Sequence, residues 1–454
     1  MKSTSQCSRP TACGGLKHSV LMVSDFLYPN AGGVENHIYQ LSQCLISRGH
    51  KVVVLTHCYG DRSGVRYLTN GLKVYYAPRQ PVYCQVTLPT IFGGFRLLRI
   101  IMVREGITLV HAHQAFSVMG HEAILHARTM GYKVVFTDHS LFGFADASSI
   151  LTNKVLKFSL ADVHEVICVS HTSKENTVLR ACLSPHHVWA IPNAVDASQF
   201  KPDVSKRRPG RLTVVALSRL VYRKGIDLLV VIIPEMCYRY PQVDFVIGGG
   251  GPKADLLKKM IAEEGLESRV EMVGPVPHEK ARDLLVRGDI FINASLTEAF
   301  CMAIVEAAAA GLMVVSTAVG GVPEVLPGGM VVLAEPNPDS LLAALEEAVH
   351  LAHTVDPHLQ HQQVHGFYNW PRIAARTEKV YEAAVSTWRD DSLMGRFCRY
   401  YQCGCLFGKL CCCVAAVLHL YWKWLEAVCP RTHIELAVSF QRPVPDAAKT
   451  LSTN

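Results

Sequence analysis

The chain has 454 residues, 49% of them apolar and 18% charged, with a net charge of +7. That length suggests two to four domains and cores that need no disulfide staples. The composition excludes a disordered chain, a collagen and a coiled coil, and no series of ~20-residue apolar runs marks a polytopic membrane protein. No basic helix interleaved with aromatics points to nucleic acid. Of the 16 cysteines, Cys398, Cys403, Cys405, Cys411, Cys412, Cys413 and Cys429 crowd the tail. The others are scattered without C-x-x-C pairs, as expected of reduced cytosolic thiols.

Residues 1–17 read as a disordered lead with no apolar h-region, so no cleavable signal peptide is expected. His18–Asp25 suits a buried strand, Pro29–Gly33 a loop, Val34–Arg48 a helix stopped by Gly49, and Lys51–His57 a second strand. Strand, glycine loop, helix and strand make a right-handed βαβ unit. Leu72–Ala77, Thr108–Ala112, Lys133–Asp138, Glu165–Ser170 and His187–Ile191 are further strand candidates, completing a domain over 18–200. The segment 201–211, rich in proline and basic residues, reads as a linker. The alternation then restarts over 212–370, with strands at Leu212–Ser218, Asp244–Gly248, Val270–Val273, Asp289–Ala294, Met313–Thr317 and Met330–Leu333. Helices are expected between them, among them Gly225–Tyr240, His278–Val286 and Met302–Ala310. The fold class is therefore α/β, two Rossmann-like doubly wound domains facing a cleft. An amphipathic helix over 371–388 follows.

The tail, 389–454, is read as a membrane-anchor region. Cys403–Trp422 gives 20 largely apolar residues including Lys409, enough to cross ~30 Å of hydrocarbon. Arg389, Arg396 and Arg399 precede the run, and the positive-inside bias would keep the larger part cytosolic. A buried or interface-lying helix is the alternative.

Several motifs carry possible chemistry. Gly32-Gly33 opens a helix whose N-terminus favours phosphate, although such glycines also serve plain turn geometry. The second strand ends without the acidic residue that would hold a nicotinamide dinucleotide's ribose, which argues against a dehydrogenase. Arg219 and Lys224 follow the first strand of the second half and could clamp a diphosphate, or form a solvated basic turn. Gly248–Gly251 ends the next strand, as a site of close approach or a flexible turn. Glu298 and Glu306, spaced E-x7-E, could hold sugar hydroxyls, while Ser295-x-x-Glu298 also reads as a capping box. His139 follows a strand and could face the cleft as a hydrogen-bonding group or general base. His350, His353, His358, His361 and His365 have helical spacing but no cysteine beside them, so a polar surface is favoured over zinc.

Taken in order, PNAGGVENH, TDHSLFG, IPNAVD, SRLVYRKG, GGGGP, TEAFCMAIVEA and VGGVPE resemble family-4 retaining glycosyltransferases of GT-B architecture. The longer strings FTDHSLFGFAD and SRLVYRKGIDLL resemble the branch of that family that begins glycosylphosphatidylinositol anchor synthesis at the endoplasmic reticulum. The resemblance implies UDP-N-acetylglucosamine (UDP-GlcNAc) as donor and phosphatidylinositol as acceptor. It also implies partner subunits, a membrane location with the catalytic part facing the cytosol, and no metal or other cofactor. Arg219 and Lys224 would hold the diphosphate, Glu306 the ribose, and Glu298 and His139 the donor sugar, with Gly32 and Gly33 near the phosphates. Glu298, His139 and Lys224 form the expected catalytic set. Arg66, in an expected loop over 65–70, is the candidate neighbour of the inositol phosphate. The competing readings are another GT-B enzyme, such as an epimerase or a soluble-acceptor transferase, and a non-enzymatic sugar-nucleotide-binding subunit.

Overall fold

A computed structural model describes residues 16–438 apart from 31, 91 and 143–146, and apart from the side chains of 147–149. The expected lead up to residue 15 and the tail beyond 438 lie outside the described residues. The first half contains β1 (Ser19–Val23), α1 (Gly33–Ser47), β2 (Lys51–His57), β3 (Gly64–Leu68), β4 (Leu72–Ala77) and a small hairpin, β5 (Pro81–Tyr83) with β6 (Val86–Thr87). It continues through α2 (Phe92–Arg104), β7 (Leu109–His113), α3 (Val118–Thr129), β8 (Lys133–Asp138), α4 (Ala147–Leu160), β9 (Glu165–Cys168), α5 (His171–Ala181) and β10 (Val188–Ala190). The main sheet runs β10-β9-β8-β7-β1-β2-β4-β3, parallel except at β3. Runs such as VLMV and VVVL are apolar throughout because helices cover both faces.

The second half contains β11 (Leu212–Leu217), α6 (Ile226–Arg239), β12 (Val243–Gly248), α7 (Ala254–Glu263), β13 (Val270–Gly274), α8 (Ala281–Leu285) and β14 (Ile290–Asn293). After these come α9 (Met302–Ala309), β15 (Met313–Thr317), β16 (Val331–Ala334), α10 (Pro338–Leu351) and α11 (Pro357–Phe367). Its all-parallel sheet runs β13-β12-β11-β14-β15-β16. That is the doubly wound order whose switch point lies between the first strand and the fourth. In the first half, the corresponding reversal lies between β1 and β7. The chain then returns as α12 (Trp370–Ser386), whose Trp370, Ile373, Val380 and Tyr381 are buried with Val20, Ile38 and Val54 of the first half.

Three expectations change. The expected loop over 65–70 is in part β3, an edge strand in which Arg66 lies opposite Val74. The expected helix over 278–286 begins as a 3-10 turn, His278–Lys280, before α8. Within the 201–211 linker, Arg211 pairs with Asp244, and Arg207 lies 3.5 Å from Asp289, anchoring the segment on the second half.

The largest change concerns the tail, which forms α13 (Leu393–Tyr401) and α14 (Cys405–Val428) docked on the first half. Arg396 and Arg399 bind the fully buried Asp162 at 2.9 and 2.8 Å, joined by Arg128 at 3.3 Å. Arg389 donates to the Val163 carbonyl at 2.6 Å. These arginines, expected to act as topology-setting charges, instead neutralise a buried carboxylate and satisfy a backbone acceptor. Of the three adjacent cysteines, Cys411 is buried and only Cys413 is exposed.

Candidate functional site

The described site forms at the two switch points, where the C-terminal ends of parallel strands diverge and leave a crevice. After β11 the chain enters a 3-10 turn, Tyr222–Lys224, and α6 starts behind Gly225. Gly225 has φ +66°, and a Cβ there would lie 1.8 Å from the Ala294 carbonyl oxygen, so the turn seats tightly on the strand end of β14. This brings Lys224 into an ion pair with Glu298. Ser295 Oγ lies between two acceptors, 2.8 Å from Glu298 Oε1 and 2.7 Å from Asn293 Oδ1. The capping-box reading of Ser295 is set aside: α9 begins at Met302, with Cys301 as its N-cap.

Lys224 is held above the usual lysine range. Burial works against its charge, while Cys301 and Glu298 work for it. Burial pushes the Cys301 thiol up to about 12, so at neutral pH it is uncharged and Glu298 is the partner that matters. Cys301 is also one of few non-glycine residues with positive φ, +69°, between the two glutamates. Such strain concentrates where a loop is held for function.

Glu306 lies inside α9, buried, with Oε1 3.1 Å from His278 Nε2. That hydrogen bond is the main cause raising the His278 imidazole above its ordinary value. The glycine run packs backbone against backbone: Leu220 N–H donates to the Gly250 carbonyl at 2.9 Å, and a Cβ on Gly249 would lie 1.8 Å from the Ser218 oxygen. The run fixes Ser218–Leu220, and with it the exposed Arg219.

On the facing half, Gly32 is the N-cap of α1. The Glu35 carboxylate folds back over it, accepting from Asn30 Nδ2 at 2.6 Å and filling the space a Cβ on Gly32 would take. Space beside Gly33 is open. Burial raises the Glu35 carboxyl above its usual range, and Arg219 of the other half pulls against that rise. The halves also meet directly. Glu324, in the VGGVPE turn, accepts from the backbone N–H groups of His171 and Thr172 at 2.6 and 2.8 Å, capping α5 across the crevice. Ser170 Oγ donates to the Ala299 carbonyl at 2.8 Å.

His139 sits at the end of β8 in a cluster of histidines. Its Nε2 lies 3.4 Å from His113 Nδ1, and its ring centre lies 4.7 Å from that of His37. His111 behind them contacts Tyr381 Oη at 2.8 Å and Thr137 Oγ1 at 2.7 Å. Burial holds all four imidazoles low: His37 at about 4, His111 at about 3, and His113 and His139 well below the ordinary value. At neutral pH they are uncharged donors and acceptors. Ligating nitrogens of His37, His113 and His139 lie within 4.8 Å of one another. Among the described residues this is the group that could hold a metal ion, rather than the 350–365 histidines.

The structure therefore brings Lys224, Glu298 and Ser295 together and places Glu306 beside His278. It sets Arg219 across from Glu35 and gathers His139 with His37 and His113. It does not bring Arg66 to them: β3 is the outer strand of the first sheet. Sequence reasoning missed His37, His111, His113, Glu35 and Glu324. The alternating His111-x-His113 on one strand face was a usable sign, and PNAGGVENH contains both Glu35 and His37.

Residues 57–146 match the GPI anchor biosynthesis family, and residues 198–361 match glycosyl transferases group 1. A phosphatidylinositol N-acetylglucosaminyltransferase subunit of Arabidopsis thaliana is 57% identical over 93% of this chain and 94% of its own. The Homo sapiens protein of the same description is 51% identical over 95% of this chain and 90% of its own. The chain belongs to this family of phosphatidylinositol N-acetylglucosaminyltransferase subunits. It is an enzyme subunit of glycosylphosphatidylinositol biosynthesis, with a glycosyltransferase group 1 domain. Solved structures give the fold: sucrose-phosphate synthase from Thermosynechococcus elongatus matches with TM-score 0.69 and 21% identity, over 82% of this chain and all of that one. Anabaena HepE in complex with UDP-glucose matches with TM-score 0.64 and 17% identity, over 82% and 100%. The architecture is GT-B.

Proposed function

We propose that this chain transfers N-acetylglucosamine from UDP-GlcNAc to the inositol 6-hydroxyl of phosphatidylinositol, with retention at the anomeric carbon. The observation that carries the reading is the Lys224–Glu298 pair at the β11/β14 switch point. Arg219 and Lys224 supply the positive charge a departing diphosphate requires. As the diphosphate enters, Lys224 exchanges part of its bond to Glu298 for phosphate oxygens. Glu298 is then free to accept from the sugar's hydroxyls. Glu306, oriented by His278, holds the ribose hydroxyls. His139, uncharged, hydrogen-bonds the sugar from the facing half.

In the transfer itself, the bond from the sugar's C1 to the β-phosphate oxygen breaks, and a bond from C1 to the inositol oxygen forms on the same face. The inositol hydroxyl proton passes to the departing phosphate, so UDP leaves and no protein nucleophile is needed. The reading places this work at the endoplasmic reticulum membrane, with the cleft on the cytosolic side and further subunits present; the family's membership in anchor biosynthesis and the apolar α14 support the membrane setting. The position of Arg66 on an outer strand gives no support to its acceptor role.

The test uses membranes carrying the complete complex, supplied with labelled UDP-GlcNAc and phosphatidylinositol. Lys224→Ala and Glu306→Ala should each lower transfer by about 10²–10³ while the protein level is kept. Full activity in both variants would sink the assignment, and labelled free sugar nucleotide epimer as the product would mark a different GT-B enzyme.

A further inference from the structure

Three imidazoles under the cleft differ from the other buried histidines around them. His111 places its two ring nitrogens on Tyr381 Oη and Thr137 Oγ1, and His121 places its own on Ser159 Oγ and the Ala115 carbonyl. Those two are spent on the fold. His37, His113 and His139 instead face one another. Their ring centres form a triangle with sides of 4.7, 5.7 and 5.7 Å. His37 Nδ1 is buried without a hydrogen-bond partner. Buried unpaired nitrogens are rare, and an ion is among the few groups that satisfy them. His113 Nε2 lies 3.4 Å from the Met22 thioether, a weak acceptor that suits a proton on Nε2 and a lone pair on Nδ1.

The spacing fits a metal of definite kind. One ligating nitrogen of each ring lies within 4.8 Å of the other two. His113 Nδ1 and His139 Nε2 are 3.4 Å apart. Two nitrogens bound to a tetrahedral zinc ion at about 2.0–2.1 Å are themselves roughly 3.3–3.4 Å apart, so this edge already has the spacing of a zinc site. The three donors come from α1, the end of β7 and the residue after β8, elements fixed in one sheet and its covering helix. An all-nitrogen set favours zinc over magnesium or calcium, which take oxygen ligands. Only His139 is partly exposed, so the ion and a fourth ligand reach the site from the cleft.

We infer that His37, His113 and His139 form a zinc site whose fourth position opens on the cleft, and that an ion held there withdraws His139 from the donor sugar. Zinc and donor then exclude each other, and the ion restrains transfer rather than taking part in it. The exclusion rests on the donor-sugar reading of His139; the binding of the ion does not.

The full chain, purified in detergent and stripped with a chelator, is titrated with Co²⁺ and then with Zn²⁺. Cobalt should give the strong visible bands of a four-coordinate ion without thiolate-to-metal absorption, and one equivalent of zinc should bleach them. Loss of a second-shell partner alone weakens a metal site by about 10–100-fold, so His37→Ala should weaken zinc binding by more than about 100-fold. His37→Gln serves as the second variant, and circular dichroism separates a lost site from a lost fold. His358→Ala with His365→Ala, both exposed, should leave the titration unchanged. Cobalt that stays six-coordinate, or a folded His37 variant that binds zinc as tightly as wild type, would overturn the site. Saturating UDP-GlcNAc should weaken zinc binding at least about tenfold, by linkage. Zinc affinity unchanged by UDP-GlcNAc that calorimetry shows to be bound would overturn the exclusion. A chain that binds zinc but no UDP-GlcNAc would instead contradict the donor reading.

Discussion

The histidine cluster beneath the cleft makes the fold sensitive to mild acid. His37 and His111 titrate at about 4 and about 3, and His113 and His139 are also held well below the ordinary value, all chiefly by burial. In the unfolded chain each imidazole titrates near 6.5. Below that pH the unfolded state binds protons that the folded state refuses, so stability falls as pH falls. From pH 7.5 to 5.5 each such histidine removes about 1.4 kcal/mol, or roughly 5 kcal/mol for four. A typical native state has only about 5–15 kcal/mol in total. Urea unfolding of the detergent-solubilised chain, followed by tryptophan fluorescence at the two pH values, measures the loss. His37→Gln should reduce the pH dependence by about 1.4 kcal/mol. Equal stability at pH 7.5 and 5.5 would refute the reasoning, because the cluster would then accept protons in the folded state.

Three further outcomes follow from the geometry. Asp162→Asn leaves Arg128, Arg396 and Arg399 without their shared carboxylate; it should cost about 3–5 kcal/mol and expose the segment between α12 and α14 to limited proteolysis. Gly225→Ala places a methyl group against the Ala294 carbonyl at a positive φ; it should lower kcat by displacing Lys224, with a stability loss of about 1–3 kcal/mol in thermal unfolding. The hydrogen bond to Glu306 raises His278. The charged pair is therefore complete below the unfolded value near 6.5 and is lost as pH rises through the folded one. The KM for donor should accordingly rise with pH across that window, and His278→Ala should abolish the dependence.

The alternating halves were legible because buried parallel strands read as largely apolar runs, such as VVVL in β2 and FVIG in β12. Glu298 and the Arg219/Lys224 turn were legible because charged groups after strand ends stand out against such runs, and Glu306 because it is an acid inside an otherwise apolar helix. β3 was not, since an exposed edge strand carries Arg66 and Tyr67 where a core strand would be apolar. Nor was the histidine cluster: His37, His113 and His139 are distant in sequence and meet only because α1, β7 and β8 converge at the first switch point. The docking of the tail was hidden for a related reason. By length and composition a helix with one apolar face docked on protein reads like a membrane-spanning one, and only long-range contacts such as Arg99–Glu426 and Phe95–Tyr421 reveal the docking.

The most direct measurement of the central claim is the linkage of the product. The complete complex, given UDP-GlcNAc and phosphatidylinositol, should yield N-acetylglucosamine α-linked to the inositol 6-hydroxyl, read by nuclear magnetic resonance of the released headgroup. A β-linkage, a different hydroxyl, or transfer to free inositol in preference to the lipid would contradict the account.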